Sequence, residues 1–343
     1  MPLLKEYTLT ALKEDFQRLR LPGYRAKQVF HWIYKKGARE FTAMANLPDH
    51  LLQVLAENYE LNAFVGAREY ISRDGSRKYL LKLHDSNQVE SVFIPAGERN
   101  TLCVSTQVGC KFSCGMCASG RKSFVRDLTI AEIVDQLLYV QQQTGTKITN
   151  IVFMGMGEPL ENYENVIRAI EIINSHEGPG IAARRITIST AGYLPGLKKL
   201  MDFNRQVNLS LSLHATTDEQ RTKLMPINKK YPLKEIIKAC ADYFHKTSRI
   251  VTLEYVLLKG FNDALIDAQR LSTIAHGLKA KVNLLPFNPF PELQYKPVDQ
   301  KAMEQFESWL KSRKIPVTIR ESRGIDIFAA CGQLAAKISG VEL

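Results

Sequence analysis

The sequence lacks any hydrophobic run long enough to cross a membrane. No stretch of about 18 apolar residues is free of interruption, and the mean hydropathy is −0.17. The N-terminus, MPLLKEYTLTALKEDF, carries acidic residues where a secretion signal needs an apolar segment. We therefore expect a cytoplasmic protein with no membrane partner.

Low-complexity tracts and internal repeats are also absent. With 45% hydrophobic and 24% charged residues, the composition argues against intrinsic disorder. The 343 residues fit one large domain plus a small one. Charge is less ordinary, because 46 Lys and Arg against 35 Asp and Glu give a net charge of +11. Such an excess is typical either of a plain basic surface or of a protein that binds RNA or DNA.

Cysteine is scarce, with six residues in the chain, and without a secretion signal these should be reduced thiols. Three of them crowd into eight residues, in the segment GCKFSCGMCASG, with the spacing C-x3-C-x2-C. A cluster of reduced thiols indicates metal binding or catalysis rather than disulfides. The crowded cysteines are Cys110, Cys114 and Cys117, and the others are Cys103, Cys240 and Cys331.

Hydrophobic periodicity divides the chain into three segments. Residues 1–65 predict a small helical accessory domain, and residues 66–98 alternate like two or three strands that join two domains or extend a sheet. Residues 99–343 alternate between strand and helix patterns, which predicts parallel strands in an α/β barrel or open sheet. Thr129, with Glu132 three residues later, is a capping box at the start of one of these helices. The active site of such folds lies at the carboxyl ends of the strands.

Two metal sites fit the cysteine triplet, which follows the first strand of the alternating region. A structural zinc site needs a fourth ligand, which would have to be Cys103, Cys331 or a distant His, because no second CxxC occurs. Three thiolates suit a [4Fe–4S] cluster with one open iron. The triplet resembles that of the radical-SAM superfamily, whose open iron binds S-adenosylmethionine (SAM). Electron transfer then cleaves SAM to a 5′-deoxyadenosyl radical.

A second segment, MGMGEPL, resembles the Gly-Glu motif with which that superfamily holds the methionine end of SAM. Gly157 allows close backbone approach and Glu158 can receive the ammonium group. Without the cysteine triplet, the same letters would be typical of an ordinary βα turn.

Eight segments in order resemble the RlmN/Cfr family of radical-SAM RNA methyltransferases that act on adenine. The resemblance covers essentially the whole chain and implies a partial (βα)6 barrel with a small helical, RNA-binding N-terminal domain. The segments are CVSTQVGCKFSCGMC, LTIAEIVDQ, FMGMGEPLEN, RRITISTAG, SLSLHA, LMPIN, LLPFNPF and AACGQL.

The resemblance also implies roles for single residues. Cys331 takes a methyl group from one SAM, a second SAM supplies the radical that activates this methyl, and Cys103 forms a disulfide with Cys331 to release the product. Glu90 is the acid–base residue for the proton of the target carbon. The SAM contacts carry over to Gly157, Glu158, Ser189, Ser212, Leu213, His214 and Asn288. Taken singly, Cys240 has the pattern of a buried apolar thiol, and His214 could be a packed core histidine.

RlmN-type members methylate C2 of an adenine in 23S rRNA and of the tRNA adenine just 3′ of the anticodon, whereas Cfr-type members methylate C8 of the same rRNA adenine. Pro159 favours the RlmN type. The resemblance further implies a flavodoxin-like one-electron reductant and a disulfide reductant as partners, and we expect a monomer. Two other hypotheses stay open: a zinc-bearing RNA-binding protein without catalysis, and a radical-SAM enzyme for a small substrate.

Overall fold

A computed structural model describes residues 1–290 and 293–335 of the chain. Three α-helices come first, namely α1 (Leu9–Arg18), α2 (Gly23–Tyr34) and α3 (Asp49–Asn58). Thr8 caps α1 by accepting a hydrogen bond from the Ala11 N–H, and α2 and α3 each begin directly after a proline. Their apolar faces, including Phe16 and Phe30, are buried.

Three antiparallel strands follow, and they extend the main sheet rather than link two separate bodies. They pair in chain order, and the third pairs antiparallel with β4, the first strand of the parallel part. Their bounds are β1 (Phe64–Ile71), β2 (Arg77–Leu83), β3 (Gln88–Ala96) and β4 (Arg99–Cys103).

The rest of the main sheet is parallel and has the order β4-β7-β8-β9-β10-β11-β12. A separate two-stranded pair, β5 (Gln107–Val108) and β6 (Arg126–Asp127), flanks the cysteine loop. The parallel strands are β7 (Asn150–Phe153), β8 (Ile186–Thr190), β9 (Asn208–Ser212), β10 (Thr252–Leu257), β11 (Lys281–Pro286) and β12 (Val317–Ile319).

Helices connect successive parallel strands, which gives six βα units before the last strand and confirms the predicted partial barrel. The capping box at Thr129 and Glu132 is present at the start of the first of them. A short helix of seven residues, α7, was not predicted. The helices are α4 (Ile130–Thr144), α5 (Tyr163–Asn174), α6 (Leu194–Leu200), α7 (Asp218–Leu224), α8 (Leu233–Thr247), α9 (Leu265–Leu278) and α10 (Gln300–Ser312).

A buried carboxylate joins the N-terminal helices to the barrel. Asp135 on α4 accepts hydrogen bonds from Lys5 Nζ at 2.5 Å, from Arg39 at 2.7 Å and from the Ala63 N–H at 2.8 Å. Charged groups taken out of water are stable only when paired in this way. Among residues 1–290 and 293–335, no helix has the length and apolarity that a membrane span needs.

Candidate active site

The cysteine triplet lies in the loop between β5 and β6, at the carboxyl ends of the strands. Burial raises the pKa of Cys110 to about 12, with a contribution from the neighbouring Cys117 thiol. Burial likewise raises the pKa of Cys114, with added contributions from Cys117 and Cys110. All three cysteines are free thiols within eight residues of this one loop.

Two other segments hold this loop. The Gly115 N–H donates to Leu224 O at the end of α7, at 2.8 Å, and the Ala118 N–H donates to Gly332 O at 2.7 Å. Within the described part of the chain, no three His, Cys, Asp or Glu side chains converge closely enough to hold a single metal ion.

Glu158 follows β7 and is almost fully buried. Its carboxylate accepts hydrogen bonds from the Ala191 N–H at 2.7 Å and the Leu160 N–H at 3.2 Å. Burial raises the pKa of Glu158 to about 7, although these N–H donors oppose the rise. The preceding Gly157 has φ +98°, and a Cβ there would lie 2.5 Å from Gln107 Cβ, so glycine is required.

The predicted contacts from neighbouring strands meet at the same edge. Ser189 Oγ on β8 and Ser212 Oγ on β9 are 3.5 Å apart. His214 accepts a hydrogen bond from the Val256 N–H at Nδ1, 3.1 Å away, and adopts a left-handed backbone with φ +54°. Burial lowers the pKa of His214 to about 3, so the ring is neutral, and Nε2 carries its proton. Leu213 is fully buried beside it.

The two extra cysteines of the site lie near each other. Cys331 is an exposed residue, yet desolvation of its thiol by the surrounding protein raises its pKa to about 11. Cys103, at the end of β4, is buried. Burial raises the pKa of Cys103 well above its ordinary value, and Cys331 raises it further. Asn288 Nδ2 donates to Cys331 O at 3.3 Å, which brings this predicted contact to the same place.

The segment after Cys331 packs directly on the cysteine loop. Gly332 has φ +84°, and a Cβ there would lie 3.0 Å from Met116 O. Its carbonyl accepts the Ala118 N–H, and Ser119 Oγ donates to Leu334 O at 2.9 Å. The loop and the cysteine-bearing segment are thus fixed to each other by backbone contacts.

Glu90 on β3 has both carboxylate oxygens engaged. Lys78 Nζ lies 3.2 Å from Oε1, and the Ala335 N–H donates to Oε2 at 2.7 Å. Lys78, which is fully buried, also donates to Phe328 O at 3.3 Å. The pair therefore links β2 and β3 to both sides of the Cys331 segment.

Sequence reasoning missed three buried charged residues of the site. Lys78 is one, and Arg221 on α7 is another. The third is Glu254 on β10, whose Oε1 accepts hydrogen bonds from Ser210 and Asn283, each at 3.0 Å. Lys78 and Arg221 lie in ordinary polar surroundings in the sequence, so no local signal marks their burial. Glu254 interrupts the apolar segment VTLEYVLL, a signal that could have marked it as buried. Cys240, by contrast, is fully buried in α8, as its pattern predicts.

The residues present fit an iron–sulfur cluster with SAM beside it. One loop carries three free thiols, as many as a [4Fe–4S] cluster with an open iron needs, while Glu158, the serine pair and Asn288 supply polar groups at the adjoining strand ends. The fold and this site define a radical-SAM enzyme, and the family model described as the Radical SAM superfamily matches residues 104–271. The model described as the Ribosomal RNA large subunit methyltransferase N-terminal domain matches residues 3–61.

Relatives extend the match to nearly the full chain. A dual-specificity RNA methyltransferase RlmN from Nitratiruptor is 42% identical over 98% of this chain and 99% of that protein. Another from Pelobacter propionicus is 46% identical over 99% of this chain and 97% of that protein. The crystal structure of a radical SAM methyltransferase from Sphaerobacter thermophilus has a TM-score of 0.95 at 41% identity and covers 98% of this chain and 100% of its own. The chain belongs to the RlmN family.

Proposed function

We propose that this chain, a SAM-dependent RNA methyltransferase of the RlmN family, methylates C2 of an adenine in 23S rRNA and of the tRNA adenine just 3′ of the anticodon. The observation that carries the proposal is the position of exposed Cys331 on a segment that packs against the cysteine loop, with Cys103 near it. An aromatic carbon such as C2 is a poor nucleophile, so a protein group that carries the methyl is needed.

Cys110, Cys114 and Cys117 would hold the cluster, and Glu158, Ser189, Ser212, Leu213, His214 and Asn288 would surround SAM, with Gly157 leaving room for it. When bound, this pair supplies both the methyl group and a radical able to remove hydrogen from a methyl. The chain's own contribution begins at Cys331, whose sulfur loses its proton and carries the methyl. An exposed Cys331 on a segment that packs against the cysteine loop suits a residue that must meet first SAM and then RNA.

Release of the product falls to Cys103. Its thiolate attacks Sγ of Cys331 and forms a protein disulfide, while the bond between that sulfur and the transferred carbon breaks. The electron pair of the broken bond stays with the carbon, which takes up a proton to complete the methyl group. A dithiol reductant outside the chain must then restore both thiols. Glu90, held by Lys78, accepts the proton that leaves the target carbon.

The N-terminal helices supply a basic face for RNA. Lys27, His31, Lys35 and Lys36 are exposed along and just beyond α2. Basic side chains on one face neutralise backbone phosphates without reading sequence. We assign residues 1–65 to this role, residues 66–98 to the connecting strands, and residues 99–343 to catalysis.

Mass spectrometry of nucleosides from cells that lack the gene tests the proposal. Complementation with the wild type or with Cys240→Ala, a buried cysteine outside the site, should restore 2-methyladenosine in 23S rRNA and tRNA. Complementation with Cys331→Ala should not. Restoration of 8-methyladenosine instead would assign the Cfr-type reaction. No response of either nucleoside would refute RNA methylation and leave a small substrate or a non-catalytic zinc protein.

A further inference from the structure

Arg221 on α7 is completely buried, and its guanidinium reaches the strand ends that form the site. It donates to Ala191 O at 2.6 Å, Ser212 O at 3.2 Å and Leu213 O at 3.3 Å. A further bond goes to Asn228 Oδ1 at 3.0 Å. Four neutral oxygens thus hold a full positive charge.

These bonds use four of the five N–H groups of Arg221 and involve only neutral acceptors, while the carboxylates of Asp218 and Glu158 act on its charge without an ion pair. None of the ion pairs between described side chains involves Arg221. A buried charge without a counter-charge is costly, and in folded proteins such groups are paired or lie next to a bound ion. No described carboxylate forms an ion pair with the guanidinium, so its charge can still stabilise an anion close to α7.

The cysteine loop lies where that anion is needed. Leu224, one helical turn from Arg221, accepts the Gly115 N–H at 2.8 Å, and Cys114 packs against the apolar group that contains Leu224. On the other side, Ala191 accepts from Arg221 while its own N–H donates to Glu158. Ala191 is thus the single residue between the guanidinium and the buried carboxylate, and α7, the helix that carries Arg221, contacts the cysteine loop directly at Gly115.

We propose that Arg221 is the counter-charge of the thiolate-bound iron–sulfur cluster and raises its reduction potential. Reduction adds one electron from an external one-electron donor to a site that already carries thiolate charge. A fixed positive charge in a poorly polarisable interior stabilises the reduced form more than the oxidised form. The inference depends on the cluster but not on the RNA target.

The test is a redox titration of full-length, anaerobically reconstituted protein without RNA, monitored by electron paramagnetic resonance. Removal of the charge in Arg221→Gln should lower the ratio of reduced to oxidised cluster at a given potential about tenfold, a shift of about 59 mV for one electron. Arg221→Lys keeps the charge and should stay near the wild type. Arg249→Gln is the matched control, because Arg249 also bonds an amide oxygen, that of Asn208 at the opposite end of β9.

An unchanged potential in Arg221→Gln would overturn the inference. If Arg221→Gln does not fold, Arg221→Lys decides the question, because a large fall despite the retained charge would mean that hydrogen bonding and not charge sets the potential. Iron and sulfide analysis shows that each variant holds a full cluster. Because no RNA is present, a failure of RNA methylation in the nucleoside experiment leaves this result unaffected.

Discussion

At the scale of single residues, burial decides which groups of the site are charged. Glu158 has two backbone N–H donors on its carboxylate, yet burial still raises its pKa to about 7. A carboxyl group with a raised pKa is neutral below that value and ionised above it. Its ability to receive a positively charged amino group therefore disappears as the pH falls through about 7.

We expect the affinity for SAM to depend on pH in the same way as the ionisation of Glu158. The ratio of wild-type affinity to Glu158→Gln affinity should fall by about tenfold between pH 8 and pH 6, because the glutamine variant has no carboxylate to protonate. SAM also titrates, but the ratio removes that effect. Anaerobic equilibrium dialysis measures both affinities, and a ratio independent of pH would show that Glu158 does not bind the amino group.

The stability of the protein depends on the ion pair between Lys78 and Glu90, because each residue is buried and compensates the charge of the other. Removal of one partner strands the other. Lys78→Met should lower the free energy of unfolding in urea by about 3–5 kcal/mol. The double variant Lys78→Met/Glu90→Gln should recover much of this loss.

Lys199 provides the control for that pair, because its ion pair with Glu164 is exposed on both sides. Lys199→Met should cost less than about 1 kcal/mol. Equal losses in Lys78→Met and Lys199→Met would contradict the assigned burial of the Lys78 pair.

Functional residues that belong to a spaced motif could be predicted from the sequence, whereas isolated buried charges such as Lys78 and Arg221 could not. The cysteine triplet and Glu158 stand in spaced motifs, and the structure brings them to one edge of the sheet, although their roles stay predictions. Lys78 and Arg221 become notable only through burial. Burial depends on how strands distant in the chain pack, and no local pattern records it.

At the scale of elements, α7 connects the cysteine loop to the sheet. It donates through Arg221 to the ends of β8 and β9, and it accepts from the loop at Leu224. The helix has seven residues, too few to be stable by itself, so its start depends on the cap. Thr217 provides that cap by accepting the Gln220 N–H at 3.2 Å.

Loss of the cap should therefore be measurable. We expect Thr217→Ala to lower the free energy of unfolding by about 1 kcal/mol, while Thr217→Ser, which keeps the hydroxyl, should change it by a few tenths. Urea unfolding followed by circular dichroism compares the variants. A serine variant as unstable as the alanine variant would show that the methyl group of Thr217, and not its hydroxyl, stabilises this end of the helix.

Most elements of the parallel part were predictable, including the short α6 and β12, and the exceptions are α7, β5 and β6. Apart from these, the helices and parallel strands from α4 to β12 agree with the alternation in the sequence, and the family match confirms the partial barrel. α7 was missed because TTDEQRTKL is short and polar, with too few apolar positions to show a helical period. β5 and β6 have two residues each, which is below what any alternation can reveal.

At the scale of the whole molecule, one carboxylate ties the N-terminal helices to the barrel. Asp135→Asn would leave fully buried Lys5 without a charge partner, and should lower the free energy of unfolding by about 3–5 kcal/mol. Asp202→Asn, which breaks the exposed pair with Lys246, serves as control and should cost less than about 1 kcal/mol. Urea unfolding measures the free energy of both variants. A small loss in Asp135→Asn, similar to that in Asp202→Asn, would show that Asp135 does not stabilise the contact between the N-terminal helices and the barrel.

The net charge of +11 predicts that the affinity for RNA depends on salt concentration. Filter binding of tRNA at several salt concentrations should show a steep loss of affinity. Lys35→Glu/Lys36→Glu should weaken binding and reduce the salt slope by about two phosphate contacts. Lys238→Glu on α8 should leave the slope as in the wild type, and an unaltered slope in the Lys35 and Lys36 variant would move the RNA surface elsewhere.

The contact between Ala335 and Glu90 also limits the order in which parts of the fold can form during synthesis. The two residues lie 245 positions apart, so the contact forms only after the intervening chain has been synthesised. The cysteine loop is made much earlier than the Cys331 segment that packs on it. This segment therefore cannot cover the loop before residue 335 has left the ribosome, and a shorter nascent chain leaves that side of the loop open.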